Sequence, residues 1–139
     1  MMETIVVTKT IGAPVEKVWS AIRAIDGLDR WFPVIETSRV EGEGVGATRV
    51  LGLADGGELH DRVLEIADAE RRFRYERFRS PFPVESYLGT VQVRDAGHGR
   101  SDVSWTVVIE AADDVAPGLA EFLHAALSDG IDGLEKDLR

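Results

Sequence analysis

Residues 119–138 read LAEFLHAALSDGIDGLEKDL, and their apolar side chains recur at steps of three and four. This spacing places them on one face of an α-helix. The members of this stripe are Leu119, Phe122, Leu123, Ala126, Leu127, Ile131, Leu134 and Leu138. A long helix that follows a series of strands buries its apolar stripe best against the concave face of their sheet. We therefore predict a curved sheet that closes on one helix and leaves a hollow between them.

The segment before this helix alternates between short β-prone runs and turn residues. The runs predict six strands, at residues 34–41, 48–53, 58–67, 72–79, 85–95 and 101–111. Turn residues separate them, most clearly ADGG at 54–57 and AGHG at 96–99. Residues 80–83, SPFP, form a loop because each proline lacks the backbone donor that a ladder requires. Strands joined in this way predict an antiparallel meander.

The N-terminal part predicts one more strand and two short helices. Residues 3–11 are rich in β-branched side chains and predict the strand. Pro14 suits the first turn of a helix, and Val18, Trp19 and Ile22 mark its apolar face. A second short helix is expected at residues 28–32, before Pro33. The expected fold class is α+β: a seven-stranded curved antiparallel sheet wrapped around the last helix, with two short helices after the first strand.

Composition sets limits on the class of protein. The 139 residues fit one domain, 1–139, and the 44% of hydrophobic residues is enough for a core. The net charge of −9 repels phosphate backbones, so no nucleic-acid partner is expected. No apolar run is long enough to span a membrane. The absence of cysteine excludes disulfides and thiolate chemistry, and a cytoplasmic location is expected.

Several short motifs carry a family resemblance. They are IGAP at 11–14 followed by Val18-Trp19, LDRWFP at 28–33, GATR at 46–49, DGG at 55–57, SPFPV at 80–84, Tyr87 and Trp105. In this order they resemble the START/Bet v 1-like (SRPBCC) superfamily, and the LDRWFP corner is similar to that of bacterial polyketide cyclase/dehydrase-like members. The resemblance implies the helix-grip fold across nearly the whole chain. It does not imply one reaction, because this fold hosts carriers, receptors, cyclases and chaperone cofactors.

The alternation of each strand predicts which side chains face the hollow. On the central strands these are Arg49, Leu51, Leu53, Asp61, Phe73, Tyr75 and Arg77, and on the last two strands Tyr87, Trp105 and Val107. Phe122 and Ala126 of the last helix face them, and Trp31 and Phe32 complete the wall. Many members of the resembled family carry histidine in place of Phe32, so an aromatic wall is expected there instead of a polar group. Apolar and aromatic walls are typical of a small-molecule site.

Asp61 is the one acidic residue predicted to face the apolar hollow. With Arg49 and Arg77 on neighbouring strands it forms a buried structural ion pair, an anchor for a ligand carboxylate or carbonyl, or, if the register is shifted by one, a solvated group. Tyr75 and Tyr87 either donate hydrogen bonds to a ligand or pack in the core.

Two loops are similar to the loops that close over ligand in plant hormone receptors of this fold. One contains Ala54, Asp55, Gly56 and Gly57, and the other Pro81, Phe82, Pro83 and Val84. Glycines permit hinge motion in the first, and prolines hold the second in shape. The alternative is that both are ordinary turns.

Three functions stay open. The first is binding of an apolar small molecule (lipid, polyketide-like or aromatic), by a monomer or a homodimer. The second is a cofactor-independent cyclase or dehydratase in which Asp61, with Tyr75 or Tyr87, transfers protons, which requires a raised pKa at Asp61. The third is a protein-interaction module like the chaperone-activating members of the superfamily. No metal or cofactor is expected, since His60, His98 and His124 lack metal-ligand spacing.

Overall fold

A computed structural model describes residues 1–139 and contains one antiparallel sheet of seven strands. The elements follow in the order β1 (Met2–Ile11), α1 (Val15–Arg23), α2 (Leu28–Trp31), β2 (Ile35–Glu41), β3 (Thr48–Leu53), β4 (Glu58–Ala67), β5 (Arg72–Arg79), β6 (Ser86–Gly97), β7 (Arg100–Glu110) and α3 (Ala116–Asp137). The strand order is β1-β7-β6-β5-β4-β3-β2, so each strand from β2 to β7 lies beside its neighbours in sequence. Strand β1 pairs with β7 and forms one edge of the sheet. The predicted α+β helix-grip fold is confirmed.

The strand boundaries agree with the sequence pattern because alternation and turn residues both mark them. β3, β4 and β5 begin and end at the predicted residues. The β6–β7 hairpin is longer than predicted, since its ladder continues to the pair Gly97↔Arg100. His98 and Gly99 make the turn with positive φ angles of 56° and 73°. The backbone twist of such a tight turn matches the twist of the two strands, so the strands can pair up to the residues next to the turn.

Helix α3 lies across the concave face, and its buried side chains include Leu123, Leu127, Ile131 and Leu134. Helix α2 packs against the C-terminal half of α3, where the indole nitrogen of Trp31 donates a hydrogen bond to Oδ2 of Asp137 at 2.9 Å. A Cβ atom at position 133 would overlap the carbonyl oxygen of Trp31, so only Gly133 allows this approach. No helix of the structure has the length and apolar character needed to cross a membrane.

Strands β5 and β6 pair over only part of their length. Their ladder runs from Arg72↔Gln92 to Glu76↔Leu88. Beyond it, Arg77 pairs with Asp61 of β4, while Tyr87 pairs with Ile109 of β7. The two strands therefore diverge towards the proline-containing loop 80–85. Between them lies a cleft of about 580 Å³.

A candidate ligand-binding site between the sheet and the last helix

The hollow between the sheet and α3 contains a cavity of about 50 Å³, and fourteen of its fifteen lining residues are hydrophobic. Nine of the predicted site residues line it: Phe32, Leu53, Tyr75, Arg77, Phe82, Tyr87, Trp105, Phe122 and Ala126. The other six lining residues are Leu28, Val34, Ile35, Leu59, Leu123 and Leu127. The walls have the apolar and aromatic character that the strand alternation predicts.

The cavity is much smaller than a usual small-molecule site. Small-molecule sites usually have volumes of about 300–1,000 Å³, whereas one water molecule occupies about 30 Å³ of the liquid. A volume of about 50 Å³ therefore has room for water but not for a typical small-molecule ligand. Side chains fill most of the hollow, and a larger guest can enter only if some of them move.

Aromatic side chains account for much of this filling. The ring of Phe32 meets that of Trp105 edge-to-face, with centroids 5.3 Å apart. A Cβ atom at Gly130 would overlap the ring of Phe32, and one at Gly89 would overlap the ring of Tyr75. Both rings occupy space that the side chain of any residue other than glycine would fill, and they can therefore extend deep into the hollow.

Two phenylalanine rings close one side of the cavity. The rings of Phe82 in loop 80–85 and Phe122 on α3 are in contact, with centroids 5.6 Å apart and planes tilted by 41°. The Phe122 side chain is predicted to point inward but is 43% exposed, because it lies at the border of the buried stripe. The second predicted loop lies next to the first, since a Cβ built on Gly57 would be 3.5 Å from Cγ of Pro81. The structure thus brings the two predicted loops together at the same end of the sheet.

The acidic group at the centre of the site is Asp61, which is fully buried between two arginines. Its Oδ2 accepts hydrogen bonds from Nε and Nη2 of Arg49, at 3.0 and 2.9 Å. Arg77 donates from Nε to Oδ1 at 2.7 Å and from Nη2 to Oδ2 at 3.2 Å. Of the predicted alternatives, the solvated arrangement is wrong, because Asp61 and Arg49 are buried and the register pairs both arginines with Asp61 across adjacent strands.

These contacts decide the protonation state of the site. Burial by itself raises the pKa of Asp61, but the charges of Arg77 and Arg49 outweigh it and hold the pKa below its usual value. The carboxylate is ionised at neutral pH, so it lacks the raised pKa that a proton-transfer role requires. Burial raises the pKa of Tyr87 well above its ordinary value, and its phenol stays protonated.

Several predicted site residues do not reach the cavity. Leu51, Phe73 and Val107 are packed in the core behind the walls of the cavity. The indole of Trp31 is hydrogen-bonded to Asp137. Arg49 and Asp61 form a buried ion pair with each other. In the loops, Ala54, Asp55, Gly56, Gly57, Pro81 and Pro83 lie outside it. Val84 lines a second, smaller cavity of about 20 Å³ beside Phe82.

Some wall residues of the cavity were not predicted from the sequence. Leu28 begins the LDRWFP corner and Val34 and Ile35 follow it, and their apolar character near Phe32 was the available signal. Of the predicted stripe, only Phe122 and Ala126 were expected to face the hollow, and Leu123 and Leu127 were not. They line the cavity as well, because it lies inside the core and not beside it.

The model of a protein family described as polyketide cyclase / dehydrase and lipid transport matches residues 2–139. No curated protein matches the sequence. Among solved structures, the protein XoxI from Bacillus cereus is 27% identical, with a TM-score of 0.86 over 97% of this chain and 94% of that one. Norcoclaurine synthase from Thalictrum flavum, solved with dopamine and hydroxybenzaldehyde, is 16% identical, with a TM-score of 0.78 over 98% and 86% of the two chains. At that identity the likeness shows the fold alone.

Proposed function

This chain belongs to the polyketide cyclase / dehydrase and lipid transport family of the START/Bet v 1-like (SRPBCC) superfamily, and we propose that it binds a small, largely apolar molecule between its sheet and α3. The observation that carries the proposal is the apolar cavity beneath Phe82 and Phe122. It lies in the hollow between sheet and helix, next to the two loops that meet at Gly57 and Pro81. We also propose a cytoplasmic location, in keeping with the cysteine-free sequence.

A ligand larger than water needs the cavity to enlarge, and the Phe82–Phe122 pair is the part of its wall that moves most easily. Phe82 belongs to a loop outside the sheet ladder, so its displacement breaks no strand pairing. Phe122 is already 43% exposed, so turning it outward removes little further apolar surface from the core. Opening at this pair leaves the Phe32–Trp105 contact and the buried arginines in place.

The electrostatics favour binding over the cyclase or dehydratase alternative. Asp61 is ionised, and both of its oxygens already accept hydrogen bonds from arginine. A general acid must carry a proton, and a general base must have a lone pair directed at its substrate. Asp61 meets neither condition in this arrangement.

The test is a fluorescence titration with the neutral probe N-phenyl-1-naphthylamine, combined with native mass spectrometry. We expect 1:1 binding in the micromolar range to the wild type. Ala126→Trp places an indole in the cavity and should weaken binding at least about tenfold. His124→Trp introduces the same side chain on an exposed position of the same helix and serves as the matched control.

Two results would overturn the proposal. One is that neither this probe nor any compound of a neutral apolar library binds the wild type. The other is that Ala126→Trp binds the probe as tightly as His124→Trp does. Either result would leave the hollow as ordinary core and favour the third alternative, a protein-interaction module.

A further inference from the structure

Arg77 is the only charged residue that lines the interior cavity. It also lines the smaller cavity beside Phe82 and the cleft between β5 and β6. Its side chain is only 9% exposed. A guanidinium in such a position borders an apolar space that could hold the body of a ligand.

The buried charges around Arg77 do not balance. Arg49 and Arg77 contribute two positive charges, and Asp61 contributes one negative charge. No other carboxylate lies within ion-pair distance of either arginine. Glu76 and Glu85 line the outer cleft but not the interior cavity. One positive charge therefore remains uncompensated within the protein, and a buried charge is costly unless it is paired.

The hydrogen bonds identify which guanidinium nitrogen has no partner in the protein. Arg49 uses all three of its nitrogens, two on Asp61 and Nη1 on the carbonyl oxygen of Ile25 at 2.8 Å. Arg77 uses Nε and Nη2 on Asp61, and its Nη1 has no partner in the protein. No fully buried side-chain nitrogen or oxygen lacks a partner, so Nη1 is in contact with accessible space, which the cleft and the two cavities around Arg77 provide.

The surroundings hold this guanidinium in a fixed orientation. Its Cζ lies 4.5 Å from the ring centroid of Tyr87 and 5.7 Å from that of Tyr75. The two bonds to Asp61 fix the plane of the group, and a planar guanidinium offers its donors in a fixed geometry. Tyr87 borders the same cavities and offers a protonated hydroxyl.

From these observations we propose that the ligand is a monoanion, whose carboxylate accepts a hydrogen bond from Nη1 of Arg77 while its apolar body occupies the enlarged cavity. This inference rests on the proposed function and specifies the ligand class. The single excess charge matches one carboxylate. A dianionic phosphate would leave a negative charge unpaired, because no further cation lines the cavity.

The test compares 2-naphthoate with its neutral isostere 2-naphthamide by isothermal titration calorimetry. We expect the wild type to bind the carboxylate about tenfold or more tightly than the amide, the fold-change of one charge-assisted hydrogen bond. Arg77→Gln should abolish this preference while binding the amide within about twofold of the wild type. Arg94→Gln removes an exposed arginine of β6 and should leave both affinities unchanged.

Arg77→Gln leaves Asp61 bonded to Arg49, which favours folding of the variant. A second measurement needs no variant: 2-naphthoate labelled with carbon-13 at its carboxyl group is titrated by NMR in the complex. We expect its carboxyl pKa to fall by about one unit or more on binding, because a neighbouring cation stabilises the anion.

The outcomes separate the two proposals. If the amide and the carboxylate bind the wild type equally, or if Arg77→Gln keeps the preference, the anion anchor is wrong and apolar binding stands. If neither compound nor the neutral fluorescent probe binds the wild type, the binding function itself is wrong, and the anchor with it.

Discussion

The indole nitrogen of Trp105 donates a hydrogen bond to the hydroxyl oxygen of Tyr75, 3.1 Å away. The two residues lie on β7 and β5, which are separated by β6, so the bond passes over the intervening strand. Gly89 lies at that point, paired with Tyr75 on one side and Val107 on the other. Because glycine has no side chain, the tyrosine ring can lie over β6 and reach the indole.

This relationship predicts the effect of Gly89→Ala. The added methyl group would overlap the ring of Tyr75, which must then leave its place between Arg77 and Trp105. We expect a loss of about 1–3 kcal/mol in the free energy of unfolding, the usual cost of overpacking a core. Urea denaturation followed by tryptophan fluorescence measures it. Gly118→Ala is the control, since a Cβ atom there meets nothing, and it should not destabilise the protein.

The buried charges predict an unequal response to substitution. Asp61→Asn leaves two buried guanidinium groups without a counter-charge, and we expect it to cost about 3–5 kcal/mol. Arg77→Met leaves the pair Arg49–Asp61 balanced and should cost clearly less. Chemical denaturation of both variants gives the comparison. Equal losses, or an Asp61→Asn variant as stable as the wild type, would contradict this account of the site.

The same carboxylate predicts part of the pH dependence of stability. The pKa of Asp61 in the folded protein lies below its unfolded value, so its ionised form stabilises the fold above the unfolded pKa. That stabilisation is lost as the pH falls through the folded pKa. The stability difference between wild type and Asp61→Asn should therefore be constant from about pH 5 to 7 and shrink below about pH 4. A difference that grows on acidification would refute the prediction.

The exposed ring of Phe122 predicts faster access to the cavity when it is removed. Phe122→Ala takes away one half of the pair with Phe82 that closes the cavity. We expect faster association of N-phenyl-1-naphthylamine in stopped-flow experiments. The ring is 43% exposed, so the loss of stability should be about 1 kcal/mol or less, well below that of a core phenylalanine. Unchanged association would mean that ligands reach the cavity elsewhere, for example through the cleft between β5 and β6.

The sequence was sufficient for the fold and for part of the site. Alternation along β3, β4 and β5 placed Arg49, Asp61 and Arg77 on one face, and their order in the meander placed them on neighbouring strands. It could not distinguish a paired from a solvated aspartate, since that depends on the atoms above the sheet. The apolar corner residues Val34 and Ile35 were missed because they follow a proline, where the path of the chain is set by tertiary contacts.

Local sequence patterns extend over a few residues. They determined the elements, their order and the inward faces of the strands, because the periodicity of apolar residues is a property of the sequence alone. The volume of the cavity depends on contacts between distant residues. Phe32 fills space at Gly130, Tyr75 fills space over Gly89, and α2 approaches α3 at Gly133. Each contact fixes the depth of a ring or the distance of a helix from the sheet. Close packing couples all of these distances, so only the assembled structure shows that the hollow is nearly closed and that one nitrogen of Arg77 remains without a partner.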